Sequence, residues 1–215
     1  MINELKNSLK ISRYSEGFIT MICMGVFFFI LGIFNISYHC DNAFLPAFQM
    51  ALGMNYITQQ GQSLIFCGFI GASPKRKSLE YHFPRIMNII SAIIVYIIIL
   101  LICIHQYNEK SMTLKELTEL YFSGVIGIIT TIIIMALMLQ HMVISFIMLF
   151  VIMIASMISA VYSLSIFVSS TFGILLIKGF VLLFIGIVLM LLIRKLILNH
   201  PYHAIYEKYG ASTKM

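Results

Sequence analysis

Six apolar runs, each near the ~20 residues a helix needs to cross the hydrocarbon core of a bilayer, dominate this chain. They cover residues 17–37, 44–71, 84–105, 121–140, 142–163 and 172–194. In a bilayer every backbone N–H and C=O must be satisfied within the segment, so runs of this length are predicted to be helices. The fourth and fifth are broken only at Gln140-His141. One helix through both would be more than twice the bilayer thickness, so a tight hairpin is expected there. Composition points the same way. The chain has 215 residues, of which 60% are hydrophobic and only 10% charged, whereas a water-exposed surface needs about 25% charged residues. The expected fold class is therefore all-α, a polytopic membrane protein with six transmembrane helices.

Charge placement predicts the topology. Lys6, Lys10, Arg13, Lys75, Arg76, Lys77, Arg85, Arg194, Lys195, Lys208 and Lys214 all fall on one side of a six-span layout. The opposite loops hold Lys110 and Lys115 against Asp41, Glu109, Glu116 and Glu119. The basic side is the cytoplasmic one, so both termini are expected in the cytoplasm and the chain in the cell membrane. The net charge of +6 thus reads as topology rather than as a nucleic-acid footprint. Lys6, Lys10 and Arg13 before an apolar run resemble a signal peptide, but the run is too long and no small-x-small site follows, so it is read as a retained first span. The domains are then a cytoplasmic interfacial segment 1–16, a transmembrane domain 17–196 and a cytoplasmic tail 197–215.

The basic segment between the second and third runs carries the most functional information. Ser73-Pro74 is a helix start, with serine as cap and proline at the first helical position. Lys75, Arg76 and Lys77 follow, then Leu79 and Phe83 four residues apart, with Glu80 between them and Pro84 closing the segment. An ordinary solvated loop needs neither the framing prolines nor the apolar pair. A short surface helix over 73–84 is expected. The segment is not a phosphate loop, because Arg76 stands where the second glycine must be. Any ATP hydrolysis must come from another polypeptide.

This element, read as SPKRK within Ala72–Arg85, together with six spans and no large soluble domain, resembles the type 2 ABC transporter permease family. The resemblance implies a six-helix half-transporter that pairs with a second copy or a related chain. It implies that the 73–84 segment is a cytoplasmic coupling helix resting on an ATPase (nucleotide-binding) subunit. Ser73, Pro74, Lys75, Arg76, Lys77, Leu79, Glu80 and Phe83 would form that contact, with ATP and magnesium held by the partner and no cofactor bound by this chain. By the same resemblance, residues 162–171 would be a re-entrant element between the last two spans. The chain departs from the family in its small size.

The second run is polar in its middle. Asn55, Gln59 and Gln62 share one helical face at i, i+4 and i+7. Polar residues at that depth face other helices or a wet cavity. They are either interhelical glue or the lining of a substrate path between protomers. Lys178, in the sixth run, either snorkels to the outer headgroups or meets an acidic group of a cargo. In the fifth run Ala155, Ser156, Ser159, Ala160 and Ser163 form a small-residue stripe suited to close helix packing. Thr113-Leu114-Lys115-Glu116 fits a capping box opening an outer amphipathic helix whose apolar face is Leu114, Leu117, Leu120 and Tyr121.

Catalytic signals are lacking. The apolar runs hold no Asp or Glu, which argues against a proton-driven carrier and against an intramembrane enzyme. His39, Cys40, Asp41 and His105 could share the outer face, but adjacent residues rarely converge on one metal ion. Cys40 and Cys103 are the one pair of cysteines able to meet on a common face. The expected function is therefore the permease subunit of an exporter of a peptide, lipid or other amphipathic substrate, with no enzymatic activity of its own. The alternatives are the substrate-capturing membrane subunit of a vitamin importer and a non-transporting assembly or immunity protein.

Overall fold

A computed structural model describes residue 10, residues 18–38, 42–65, 82–138, residue 150 and residues 171–198. Among these residues the secondary structure is all helical. Five long helices are present: α1 Phe18–Tyr38, α2 Phe44–Ile65, α3 Phe83–Asn108, α4 Leu114–Met138 and α5 Phe172–Leu198. Four of them, α1, α3, α4 and α5, are long and apolar enough to cross a membrane. The polar residues of α2 keep it below that standard, although its 22 residues are sufficient in length. The expected fifth span at 142–163, the coupling helix over 73–84 and the 162–171 element lie almost wholly outside the described residues, which keep only His82, Phe83 and Pro84 of the coupling segment.

Buried area identifies the centre of the bundle. Of the apolar stretch of α4, 72% is buried, against 17% for α1 and 28% for α5. Helix α4 packs against α2, α3 and α5, and α1 packs mainly on α2. The core is built around Tyr121, Phe122, Val125, Ile128 and Ile132 of α4, with Val95 and Ile99 of α3 and Met50 of α2. The outward faces of α1 (Phe27, Ile30, Phe34) and α5 (Ile177, Phe180, Phe184) are exposed and apolar. Helices apolar all round suit a lipid surrounding, in which outer faces need no polar cover.

Close contacts set the directions of the helices. A Cβ at Gly25 would stand 2.7 Å from the Gly53 carbonyl oxygen, and one at Gly53 would stand 2.5 Å from that of Gly25. One turn-pair further on, Gly32 meets Pro46 and Met50. Higher numbers in α1 meet lower numbers in α2, so the two are antiparallel, with backbones touching where both side chains are absent. Gly124 lies against Ala43, and Gly127 against Phe44 and Ala47, so α2 and α4 run the same way. Gly179 of α5 lies against Tyr121, and Gly186 against Ile129, so α4 and α5 also run the same way. The end of α4 and the start of α5 therefore lie at opposite ends of the bundle.

The start of α3 and the ends of α2, α4 and α5 consequently lie at one end. Arg85 and Lys195 are exposed there. At the other end α3 passes into α4 through residues 109–113, with Glu109, Lys110, Lys115, Glu116 and Glu119 exposed or half-buried. Tyr107 stacks on Phe172 at that end, centroids 4.1 Å apart, closing α3 onto the start of α5.

The capping box forms as expected. The Thr113 amide and hydroxyl both donate to Glu116 Oε2, at 2.7 and 2.9 Å, and the Glu116 amide reaches the Thr113 hydroxyl at 3.4 Å. The expected amphipathic segment and fourth span are one continuous helix, α4. Leu117, Leu120 and Tyr121 are buried, Leu114 only partly.

Candidate functional site

The polar residues that matter lie where α2 crosses α3. Helix α2 brings Asn55 into the core with no exposed area. Its amide Nδ2 donates to Ser91 Oγ of α3 at 2.8 Å and to the carbonyl of Ala51, one turn back, at 2.9 Å. Ser91 Oγ in turn donates to the backbone carbonyl of Asn88 at 2.9 Å. Ser91 is thus receiver and donor at once, which fixes its rotamer and clamps the two helices at this level. Such interhelical bonds contribute about 0.6 kcal/mol each in a bilayer.

Asn88 differs from its neighbours. It is 1% exposed, and neither Nδ2 nor Oδ1 of its side chain has a hydrogen-bond partner. A buried polar group left this way costs about 1–3 kcal/mol. Buried threonines of the core show the usual economy. Thr118 and Thr131 of α4 donate to carbonyls four residues back on their own helix, at 2.7 and 2.8 Å. Asn35 of α1 donates to Gln49 of α2 at 2.8 Å.

The sequence-predicted residues fall into separate places. Asn55 sits in this seam, inside the chain. Gln59 and Gln62 continue the same face of α2, whose helical backbone extends to Ile65; their side chains lie outside the described residues. Lys178 is exposed on α5, flanked by exposed Ile174, Ile177 and Val181. Because α5 packs on α4 rather than on the α2–α3 seam, Lys178 and Asn55 do not form one site. Ser73, Pro74, Lys75, Arg76, Lys77, Leu79 and Glu80 are outside the described residues. Phe83 is the first residue of α3 and only 1% exposed, with Pro84 in the first turn, where its missing N–H costs nothing. Phe83 therefore anchors α3 within the chain, and the exposed residue of that turn is Arg85.

Cys103 is free and fully buried, and its expected partner Cys40 lies outside the described residues, as do His39 and Asp41. His105 Nε2 approaches Glu109 Oε1 at 3.3 Å on an exposed turn. Among the described residues no three His, Cys, Asp or Glu side chains come together as a metal site would require. Sequence reading passed over Asn88 and Ser91. The signal was present, since two polar residues at i and i+3 interrupt an otherwise apolar third run. Comparison with known protein families, with curated proteins and with solved structures finds no match.

Proposed function

We propose that the chain is the transmembrane permease subunit of an ATP-binding-cassette exporter, moving a peptide, lipid or other amphipathic substrate outward. The observation that carries this reading is the uncharged polar seam of Asn55, Ser91 and Asn88 buried between two helices, about one to three turns from the basic end of the bundle. Neutral amides and a hydroxyl suit an amphipathic cargo, because they bind it without the fixed charge that would hold it. Helix directions support the six-span layout: α4 and α5 run the same way, so the end of α4 and the start of α5 lie at opposite ends of the bundle. Both termini then share the basic end, the cytoplasmic one by charge.

In this mechanism ATP closes two partner ATPase subunits, which move the 73–84 segment. That segment is joined directly to α3 through Phe83 and Pro84. Motion passed to α3 changes its crossing with α2 at Ser91 and Asn55, opening or closing the seam. ATP and magnesium stay on the partner, and a second copy or a related chain completes the transporter.

The test is co-expression with the cognate ATPase. Leu79→Asp, and charge reversal at Lys75, Arg76 and Lys77, are expected to abolish co-purification and stimulated ATP hydrolysis while the permease itself still accumulates. Phe83 is unsuitable for this purpose, because a charge there would disrupt the packing of α3. Wild-type assembly and activity in the Leu79→Asp variant would remove the coupling assignment.

A second reading, the substrate-capturing membrane subunit of a vitamin importer, is favoured by one observation. Asn55, Ser91 and Asn88 are buried within a single chain, not displayed on a face that two copies could share. A small molecule co-purifying with the isolated monomer would select it.

A further inference from the structure

The strongest unexplained feature of the molecule is the carboxamide of Asn88. Both of its polar atoms, Nδ2 and Oδ1, are buried without a hydrogen-bond partner. Leucine has the same branching and number of side-chain heavy atoms, though it is bulkier, and carries no polar group to leave unsatisfied. Buried groups left unsatisfied in this way mark functional sites or places where a missing partner belongs.

The surroundings fix the backbone that carries that amide. The bond from Asn55 Nδ2 to Ser91 Oγ, and that from Ser91 Oγ to the Asn88 carbonyl, lock α2 and α3 together one turn away. The two helices are antiparallel, so passing from Ser91 to Asn88 on α3 runs the same way as passing from Asn55 to Gln59 on α2. Asn88 therefore lies at the level of the next amide-bearing turn of α2, toward the basic end. The buried polar residues of the described core are Asn55, Asn88, Ser91, Thr118, Thr130 and Thr131, all uncharged. A carboxamide offers two N–H donors and one oxygen acceptor. Its complement is a neutral group with both functions.

We infer that Asn88 is the recognition residue of an occluded site between α2 and α3 that binds an uncharged donor-and-acceptor group of the peptide-amide type. This rests on the reading of the α2 face as part of a substrate path, but it requires no ATPase. Asn55 and Ser91 act as positioning residues, holding the helices so that Asn88 meets the ligand. The site is closed in this structure, so the ligand enters when the two helices part.

The experiment uses the purified full-length chain in detergent, with no ATPase present, and two probes: neutral N-acetyl-trialanine-amide and zwitterionic trialanine. The neutral probe is expected to raise the melting temperature of the wild type, and the zwitterion is not. Asn88→Leu is expected to melt higher than wild type without ligand, by about 2–4 °C, and to bind the neutral probe about tenfold more weakly or worse. Asn88→Ser keeps polarity with a smaller side chain; it serves as the second variant and is expected to lose most of the probe's effect. A lower melting temperature for Asn88→Leu would show a satisfied structural amide and overturn the assignment. Equal stabilisation by both probes, or none by either, would overturn it as well. Because the motor is absent, failure here leaves the ATPase-coupling test untouched, and success here survives failure of that test.

Discussion

The Tyr121 hydroxyl joins three helices at one point. It donates to the Leu176 carbonyl of α5 at 3.2 Å and lies 2.7 Å from the Tyr96 hydroxyl of α3, which donates to it. The ring passes over Gly179, where any Cβ would collide with it. Tyr121→Phe removes both bonds and leaves the Tyr96 hydroxyl without this acceptor. The expected loss is about 1–2 kcal/mol, read from unfolding of the purified chain in detergent, at the upper end of interhelical bonds in bilayers. Tyr96→Phe combined with Tyr121→Phe should cost clearly less than the two single losses added, since both remove the same bond. Little of this was legible from the residues. Tyr121 was placed on the apolar face of an outer helix, and its burial agrees, but its partners are 25 and 55 positions away. Nothing local in the sequence announces such a pairing.

Element ends were more legible, because they depend on neighbours in the chain. The capping box at Thr113 and Glu116 formed where its spacing predicted. Thr113→Ala should cost about 1 kcal/mol, measured as a lower melting temperature, and Glu116→Ala a similar or smaller amount. The end of α3 holds a feature that periodicity does not reveal. Lys110 has φ 52°, a left-handed backbone, and its amide bonds the Tyr107 carbonyl while that of Ser111 bonds Gln106, at 3.2 and 3.3 Å. This double closure of a helix end favours glycine at the left-handed position. Lys110→Gly is expected to stabilise the chain by about 1 kcal/mol, and an unchanged or lower melting temperature would contradict the strain argument. At the α1–α2 contact the sign reverses. Gly53→Val sets a branched side chain against the Gly25 carbonyl and the Phe29 amide, with no flexible side chain to yield. A cost of about 1–3 kcal/mol is expected, with loss of folded protein on size exclusion.

On the scale of the whole molecule, helix direction is the decisive quantity. Since α4 and α5 run the same way, tags inserted after Gln140 and after Ser169 should report opposite sides of the membrane, and a tag after Leu198 should report the same side as the one after Gln140. Cysteine labelling at Lys110 from outside intact cells should succeed, and at Arg85 it should fail. If the two tags flanking 142–163 reported the same side, the six-span layout would fall. The exporter proposal would lose its frame with it, because the 73–84 segment would no longer be assured a cytoplasmic position.

What the amino-acid sequence determined by itself is the class of molecule, a helical membrane protein, and the approximate extent of the apolar helices α1, α3, α4 and α5. These follow from length, hydropathy and capping chemistry, which act within a segment or between a segment and its solvent. The tertiary structure alone decided that Phe83 is an anchor of α3, that Lys178 faces outward on α5, and that Asn55 meets Ser91 beside an unpartnered Asn88. Those outcomes depend on which helix faces meet, and at what register. Both are set by the glycine contacts and side-chain volumes of several helices at once, so no single stretch of residues contains them.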